Sequence, residues 1–295
     1  MDERKALLIL HGKQATNDEV RAAVGRLRER GWTLDVRLTW EAGDARRLVG
    51  EALAAGYRKI VAGGGDGTLR DVAEALVLAD GQASLALLPL GTANDFARAA
   101  VVPLEPDAAL ALLEQPAQAI DLGRVGKQLF LNMATGGFGS QVTANTSEDL
   151  KKVLGAAAYL FTGLSRFSEL QAATVELHGP GFSWQGELLA LGIGNGRQAG
   201  GGHALCPQAK VDDGLLDIGI LPAPQEVGGT LRGLLAGEEL MVRARLPWVE
   251  IKSAQGLDIN LDGEPLQADS LRFEALPRAL RVHLPGDSPL LSRPG

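Results

Sequence analysis

Apolar positions along residues 1–115 switch between a strand-like and a helix-like period. Residues 5–10 form an apolar run; from Asn17 or Asp18, Val20, Val24 and Leu27 recur at helical spacing and stop at Gly31. Residues 33–38 read as a second strand. Asp44 stands where a helix cap belongs, ahead of Leu48, Val49, Ala52 and Leu53, and that pattern stops at Gly56. A third strand at 59–62 precedes a helical pattern through Val72, Ala73, Leu76 and Val77, and a fourth occupies 85–90. Repeated strand–helix–strand units of this length predict an α/β domain with a mostly parallel sheet covered by helices on both faces.

Beyond Leu113-Glu114-Gln115-Pro116 the period changes. Short runs with alternation or β-branched content recur at 120–125, 129–134, 174–178, 187–191, 215–221, 249–252, 258–261, 271–275 and 280–284. Punctuated by glycine and proline, they predict an all-β, sandwich-like second domain. Helical spacing interrupts it at 147–170, through Leu150, Val153, Leu154, Ala157 and Phe161, and a further helix is predicted at 225–235. The expected division is an α/β domain over 1–116 and a sandwich-like domain over 117–295 with one or two inserted helices.

Two glycine-centred stretches each follow an apolar strand: Gly63-Gly64-Gly65-Asp66-Gly67-Thr68, and Gly91-Thr92-Ala93-Asn94-Asp95-Phe96. Glycine lets the backbone come close to a phosphate, and consecutive N–H groups form an anion-binding concavity. A helix that starts just after adds its positive end. Ligands of parallel α/β sheets lie at the carboxyl ends of the strands, where both stretches fall. Asp66 and Asp95 would repel phosphate unless a cation lay between, so the pair reads as a seat for a metal–nucleotide complex. Taken singly, either stretch is also a plain strand–helix turn with a polar cap. Their repetition favours the nucleotide.

Charge and composition narrow the picture. A net charge of −7 argues against a sequence-independent nucleic-acid binder. A single cysteine, Cys206, rules out an intrachain disulfide framework and fits a reducing compartment. Neither it nor the scattered His11, His178, His203 and His283 has zinc-box spacing. Residues 1–5 lead straight into the first strand with no leader-like pattern, and no apolar stretch approaches the ~20 residues that span a bilayer. The expectation is a cytoplasmic protein. Lys151, Lys152 and Arg166 offer positive charge for transient contact with an anionic membrane, or simply form a solvated helix face. Gly192, Gly194 and Gly196 imitate part of a dinucleotide fingerprint, but their spacing is wrong and no helical pattern follows.

The stretches GGGDGT and PLGTANDFA resemble the diacylglycerol kinase catalytic family, which includes sphingosine kinases and the bacterial YegS-type lipid kinases. Three further segments share the resemblance: Gly192-Ile193-Gly194-Asn195-Gly196 with Gly200-Gly201-Gly202 and Cys206-Pro207, Asp212-Asp213-Gly214-Leu215-Leu216-Asp217, and Asn260-Leu261-Asp262-Gly263-Glu264-Pro265. After the first glycine stretch the family commonly carries Asn-Glu, where this chain has Leu69-Arg70-Asp71.

The resemblance implies a nucleotide domain like that of NAD kinases and phosphofructokinases, a β-sandwich domain, and an active site between them. It implies transfer of phosphate from ATP to a lipid hydroxyl at a membrane surface, the acceptor being phosphatidylglycerol, diacylglycerol or another lipid alcohol. Thr39, Gly63, Gly64, Gly65, Asp66, Gly67, Thr68, Thr92, Asn94 and Asp95 would then hold ATP with its Mg²⁺. Asp262 or Glu264 would accept the proton of the hydroxyl, alternation along an extended segment aiming both to one side. Asp213, with the backbone carbonyls of Lys210 and Leu215, would hold a second, structural Mg²⁺. A kinase of a soluble acceptor and a non-catalytic nucleotide or lipid sensor are the rival readings, and the sequence leaves the oligomeric state open.

Overall fold

The computed structural model describes residues 4–79, 83–136, 173–199, 202, 204–222 and 241–292. The helices predicted at 147–170 and 225–235, with Lys151, Lys152 and Arg166, lie outside the described residues. The chain divides into two compact units, one of Met1–Leu122, Val211–Asp213 and Pro277–Gly295, the other of Gly123–Lys210 and Gly214–Leu276.

In the first unit β1 (Lys5–His11), β2 (Thr33–Thr39), β3 (Lys59–Gly64) and β4 (Ser84–Pro89) run parallel in the order β4-β3-β1-β2. The apolar interiors of β1, β3 and β4 are buried, as a sheet covered by helices requires. α1 (Asp18–Glu29) is capped by Asn17, whose side chain accepts from the Val20 N–H at 3.2 Å, and it buries Val20, Ala23, Val24 and Leu27.

α2 (Asp44–Ala54) corrects the expected role of Asp44. Gly43, with a positive φ, takes the capping position and Asp44 is the first helical residue. Its carboxylate folds back onto the preceding turn, accepting from the N–H groups of Trp40 (2.7 Å) and Glu41 (3.1 Å). Arg47 binds its other oxygen at 2.7 Å. Arg47 first, then the two N–H groups, hold the Asp44 carboxyl down at about 2.

α3 (Asp66–Leu78) and α4 (Asp95–Ala99) follow the glycine stretches, and α5 (Pro106–Ala111) follows α4. α4 ends in a Schellman pair: the Val102 N–H donates to the Ala97 carbonyl (2.8 Å) and the Val101 N–H to that of Arg98 (3.1 Å). The residue that must turn left-handed is Val101, at φ 59° and 58% exposed. A β-branched side chain is disfavoured there. Val101→Gly is therefore expected to raise the unfolding free energy by about 1 kcal/mol in urea titrations, and Val101→Ala by clearly less. A lower midpoint for the glycine variant would show that the valyl side chain contributes more than the strain it carries.

β5 (Gln118–Val125) leads into the second unit, which is antiparallel. It comprises β6 (Gln128–Phe130), β7 (Met133–Gly136), β8 (Ala173–Gly179), β9 (Phe182–Gly194), β10 (Leu216–Pro222), β11 (Val242–Leu246), β12 (Trp248–Leu261) and most of β13 (Glu264–Val282). Pairing runs β11-β10-β9-β7-β12-β13, with β8 beside both β9 and β12. Alternation directs Val175, Leu177, Ile193, Ile218, Ile251, Ile259 and Phe273 into one core. The segments 249–252 and 258–261 belong to a single strand. The polar stretch between them is a bulge, where the register with β13 shifts and Gly256 adopts φ 81°. Likewise 271–275 and 280–282 are one strand, bent at Arg278 (φ 54°), whose N–H donates to Asp121 Oδ1 at 2.7 Å.

The end of β13 returns to the first unit, pairing in parallel with β4. There His283, only 2% exposed, is held on three sides. Its N–H donates to the Leu85 carbonyl, and Nδ1 and Nε2 each lie 2.8 Å from a partner, the Gln115 carbonyl and Ser84 Oγ. Nδ1 must carry the proton to satisfy the carbonyl, so neutral Nε2 accepts from the Ser84 hydroxyl. Burial lowers the His283 pKa below its usual 6.5. Below pH 6.5 the unfolded chain takes up a proton that the folded chain refuses, so stability declines as pH falls. Urea midpoints should drop between pH 7.5 and 5.5 in the wild type, with a flatter profile in His283→Asn. Asp44 acts in a separate window, below about pH 4.

Candidate active site

β3 and β4 end side by side, Gly63 beside Leu88 and Gly64 beside Pro89, and the Leu90 N–H donates to the Gly64 carbonyl at 2.8 Å. This brings the two glycine turns into backbone contact. A Cβ on Gly91 would lie 2.5 Å from the Gly65 Cα, and one on Gly65 would lie 3.2 Å from the Gly91 Cα. Asn94, at φ 50°, ties the second turn together. Its Oδ1 accepts from the Gly91 N–H (2.9 Å) and its Nδ2 donates to the Gly91 carbonyl (2.7 Å). Asparagine tolerates this left-handed conformation better than most residues.

Asp66 begins α3, with Gly65 at the capping position, and its Oδ1 accepts from the Phe96 N–H at 3.3 Å. Burial pushes the Asp66 carboxyl above the usual carboxylate range. The neighbouring Asp95 charge adds to that, while the N–H groups of Asp95 and Phe96 oppose it. Asp95 is buried. Two carboxylates in a partly buried place are mutually unfavourable, and a divalent cation there would relieve both. Their oxygen donors suit Mg²⁺. Thr68 is buried against Gly64, Gly67 and Thr92 are exposed, and Thr39 ends β2 beside His11 of β1. Arg70 forms an ion pair with Asp71 at 2.6 Å.

Asp262 and Gly263 form the tight turn between β12 and β13, both with positive φ (47° and 101°), the pattern of a primed hairpin turn. Strand alternation therefore does not relate Asp262 to Glu264, and the two side chains have different surroundings. The Asp262 carboxylate accepts from the N–H groups of Leu131 (2.6 Å), Asn132 (3.1 Å) and Met133 (2.8 Å). Its own N–H donates to the Met133 carbonyl at 3.1 Å. One side chain thus satisfies three successive peptide groups. Glu264 opens β13 opposite Leu261 and is exposed.

Asn132 and Asn195 surround the same segment. Asn195 Nδ2 donates to the Leu131 carbonyl (2.7 Å), and Asn132 Nδ2 donates to that of Gln198 (2.5 Å). The only sequence signals were an amide inside the glycine-rich motif and another within an apolar run. Gly196 fits against Asn132, since a Cβ there would lie 2.0 Å from Asn132 Oδ1. Cys206 is buried, its thiol pushed up to about 12 by burial, which removes it as a nucleophile or metal ligand.

Lys210, Asp213 and Leu215 are half-buried positions on the segment before β10, around Gly214 at φ 74°. Among the described residues no three His, Cys, Asp or Glu side chains gather as a metal-binding group. The Lys210, Asp213 and Leu215 set would instead draw on one carboxylate and two carbonyls.

Comparison with known proteins supplies the family. Residues 5–125 match the diacylglycerol kinase catalytic domain, and residues 133–284 match the YegS C-terminal NAD kinase beta sandwich-like domain. A probable lipid kinase YegS-like of Pseudomonas putida is 79% identical over 295 residues, covering all of both chains. Its namesake from Pseudomonas aeruginosa is 70% identical over 298 residues, covering 100% of this chain and 99% of that one. Among solved structures, a diacylglycerol kinase from Bacillus anthracis superposes with a TM-score of 0.74 at 21% identity, over 97% of this chain and 98% of that one, a likeness of fold. The chain belongs to the diacylglycerol kinase family and, within it, to the YegS-type lipid kinases.

Proposed function

We propose that the chain transfers the γ-phosphate of ATP to the hydroxyl of a lipid presented at a membrane surface. The observation that carries this reading is the contact of the Gly65 and Gly91 backbones with Asp66 and Asp95 beside them. Gly63 to Thr68, Thr92, Asn94 and Thr39 bind the nucleotide, with peptide N–H groups turned to its phosphates. Mg²⁺ at Asp66 and Asp95 would neutralise phosphate charge, and a second, structural Mg²⁺ is assigned to Asp213 and the carbonyls of Lys210 and Leu215.

Glu264 is the base. It accepts the hydroxyl proton as that oxygen bonds to phosphorus and the bond to the ADP oxygen breaks. Asp262 is a positioning residue, because its carboxylate is committed to the peptide groups of Leu131 to Met133. The reaction is assigned to the cytoplasmic side, with the protein docking transiently on the bilayer.

A radiolabelled γ-phosphate assay tests this on mixed micelles of phosphatidylglycerol, diacylglycerol and a sphingoid base. Label in one lipid is expected. Label only in water-soluble alcohols would assign a soluble acceptor. ATP binding without any transfer would assign a sensor.

A further inference from the structure

We propose that Leu38 and Trp40, at the carboxyl end of β2, form the surface that rests on the lipid bilayer. This inference depends on the lipid-kinase reading above. Trp40 is 93% exposed and Leu38 47%. Single exposed leucines are ordinary on protein surfaces, but an almost fully exposed tryptophan is not. It is also displayed from a fixed turn. Asp44 accepts the N–H groups of Trp40 and Glu41 and is itself gripped by Arg47, so the backbone under the indole is pinned.

The position on the fold gives the exposure its meaning. β1 to β4 are parallel, so Trp40 leaves the sheet at the end where the glycine turns leave β3 and β4. Leu10 of β1 pairs with both Leu38 and Gly63, which places Leu38 level with the first glycine stretch. That is the end of the first unit that has to approach a bilayer if a lipid hydroxyl is to reach the nucleotide phosphates.

The chemistry fits a lipid interface. An indole has an apolar body and one N–H donor, and settles at headgroup depth. Arg37 and Arg46, both exposed, stand on either side of it in sequence and bring positive charge to anionic headgroups. No described helix is long and apolar enough to cross a membrane, and a few exposed apolar and basic side chains are enough for surface contact.

The test uses the full chain with vesicles of phosphatidylcholine alone and of equimolar phosphatidylcholine and phosphatidylglycerol. Co-sedimentation should be strong with the anionic vesicles, and Trp40→Ser should lower the partition constant by about tenfold. Trp40→Phe should retain most of the binding, and Arg37→Gln with Arg46→Gln should remove the preference for anionic vesicles. Brominated lipid should quench wild-type fluorescence more than that of Trp40→Phe, a comparison that holds even if the serine variant melts early.

Phosphate transfer to a short-chain lipid dissolved as monomers should be the same in wild type and Trp40→Ser. A wild type that binds vesicles through Trp40 but phosphorylates nothing would sink the kinase reading alone. Equal partitioning of wild type and Trp40→Ser, alongside normal phosphate transfer, would sink the docking surface alone. Weakened ATP binding in Trp40→Ser would assign the indole to the nucleotide, and a shift from dimer to monomer would assign it to a second copy; either result overturns the proposal.

Discussion

Glu264→Gln is expected to lower kcat for lipid phosphorylation by about 10²- to 10⁴-fold, the range a general base contributes, with little change in stability. The side chain is exposed at the start of β13, so the fold loses little with its charge. Asp262→Asn should behave in the opposite way. Asparagine tolerates the left-handed backbone at this position, so the substitution isolates the carboxylate. An amide in its place turns an NH₂ toward peptide N–H groups that the carboxylate had received, at a loss of about 2–3 kcal/mol. Paired measurements of kcat and urea midpoint separate the roles. If Asp262→Asn kept its stability and lost kcat as severely as Glu264→Gln, the proton acceptor would be Asp262.

The second large effect is expected from Gly91→Ala. The added Cβ would lie 2.5 Å from the Gly65 Cα and 2.8 Å from Asn94 Oδ1, and the first of these is backbone that cannot rotate away. The two turns must separate, which should cost about 2 kcal/mol of stability and, by spreading the phosphate-facing N–H groups, about 100-fold in ATP affinity. Gly50→Ala, within α2 and away from both glycine turns, is the control. A Cβ there meets nothing within 4 Å, and alanine favours the helix it enters. Calorimetric titration of ATP into both variants checks the pair. Wild-type affinity in Gly91→Ala would remove the glycine turns from the phosphate site.

These two sites differ in how far the sequence reveals them. The glycine turns are local: an apolar run, consecutive glycines and a helical pattern stand together in one stretch, so their strand–turn–helix geometry is legible residue by residue. The Asp262 clamp is not. Its partners are peptide N–H groups of Leu131 to Met133, about 130 positions away, and a backbone group leaves no mark in the choice of side chain. The same holds for His283, whose partners are one hydroxyl and two carbonyls. The sequence breaks the long strands for a related reason. The polar residues before Gly256 and the Pro277–Arg278 pair look like loop punctuation, yet pairing with neighbouring strands carries β12 through a bulge and β13 through a bend. Asp44 shows the limit even within one turn, since Gly43 took the capping position and left the carboxylate to the preceding backbone.

The last strand also sets an order of events during synthesis. β4 acquires its neighbour Arg281–Val282 only when the C-terminal segment exists, although the other three parallel strands precede it in the chain. On the ribosome this unit thus waits, with its β4 edge open, until residues 281–282 have emerged. An unpaired edge is a template for association with other chains, so this interval is when nascent molecules are most exposed to one another. A stop codon shortly before residue 277 would leave that edge open permanently, and a partly translated product would resemble an aggregation seed more than a free-standing α/β domain.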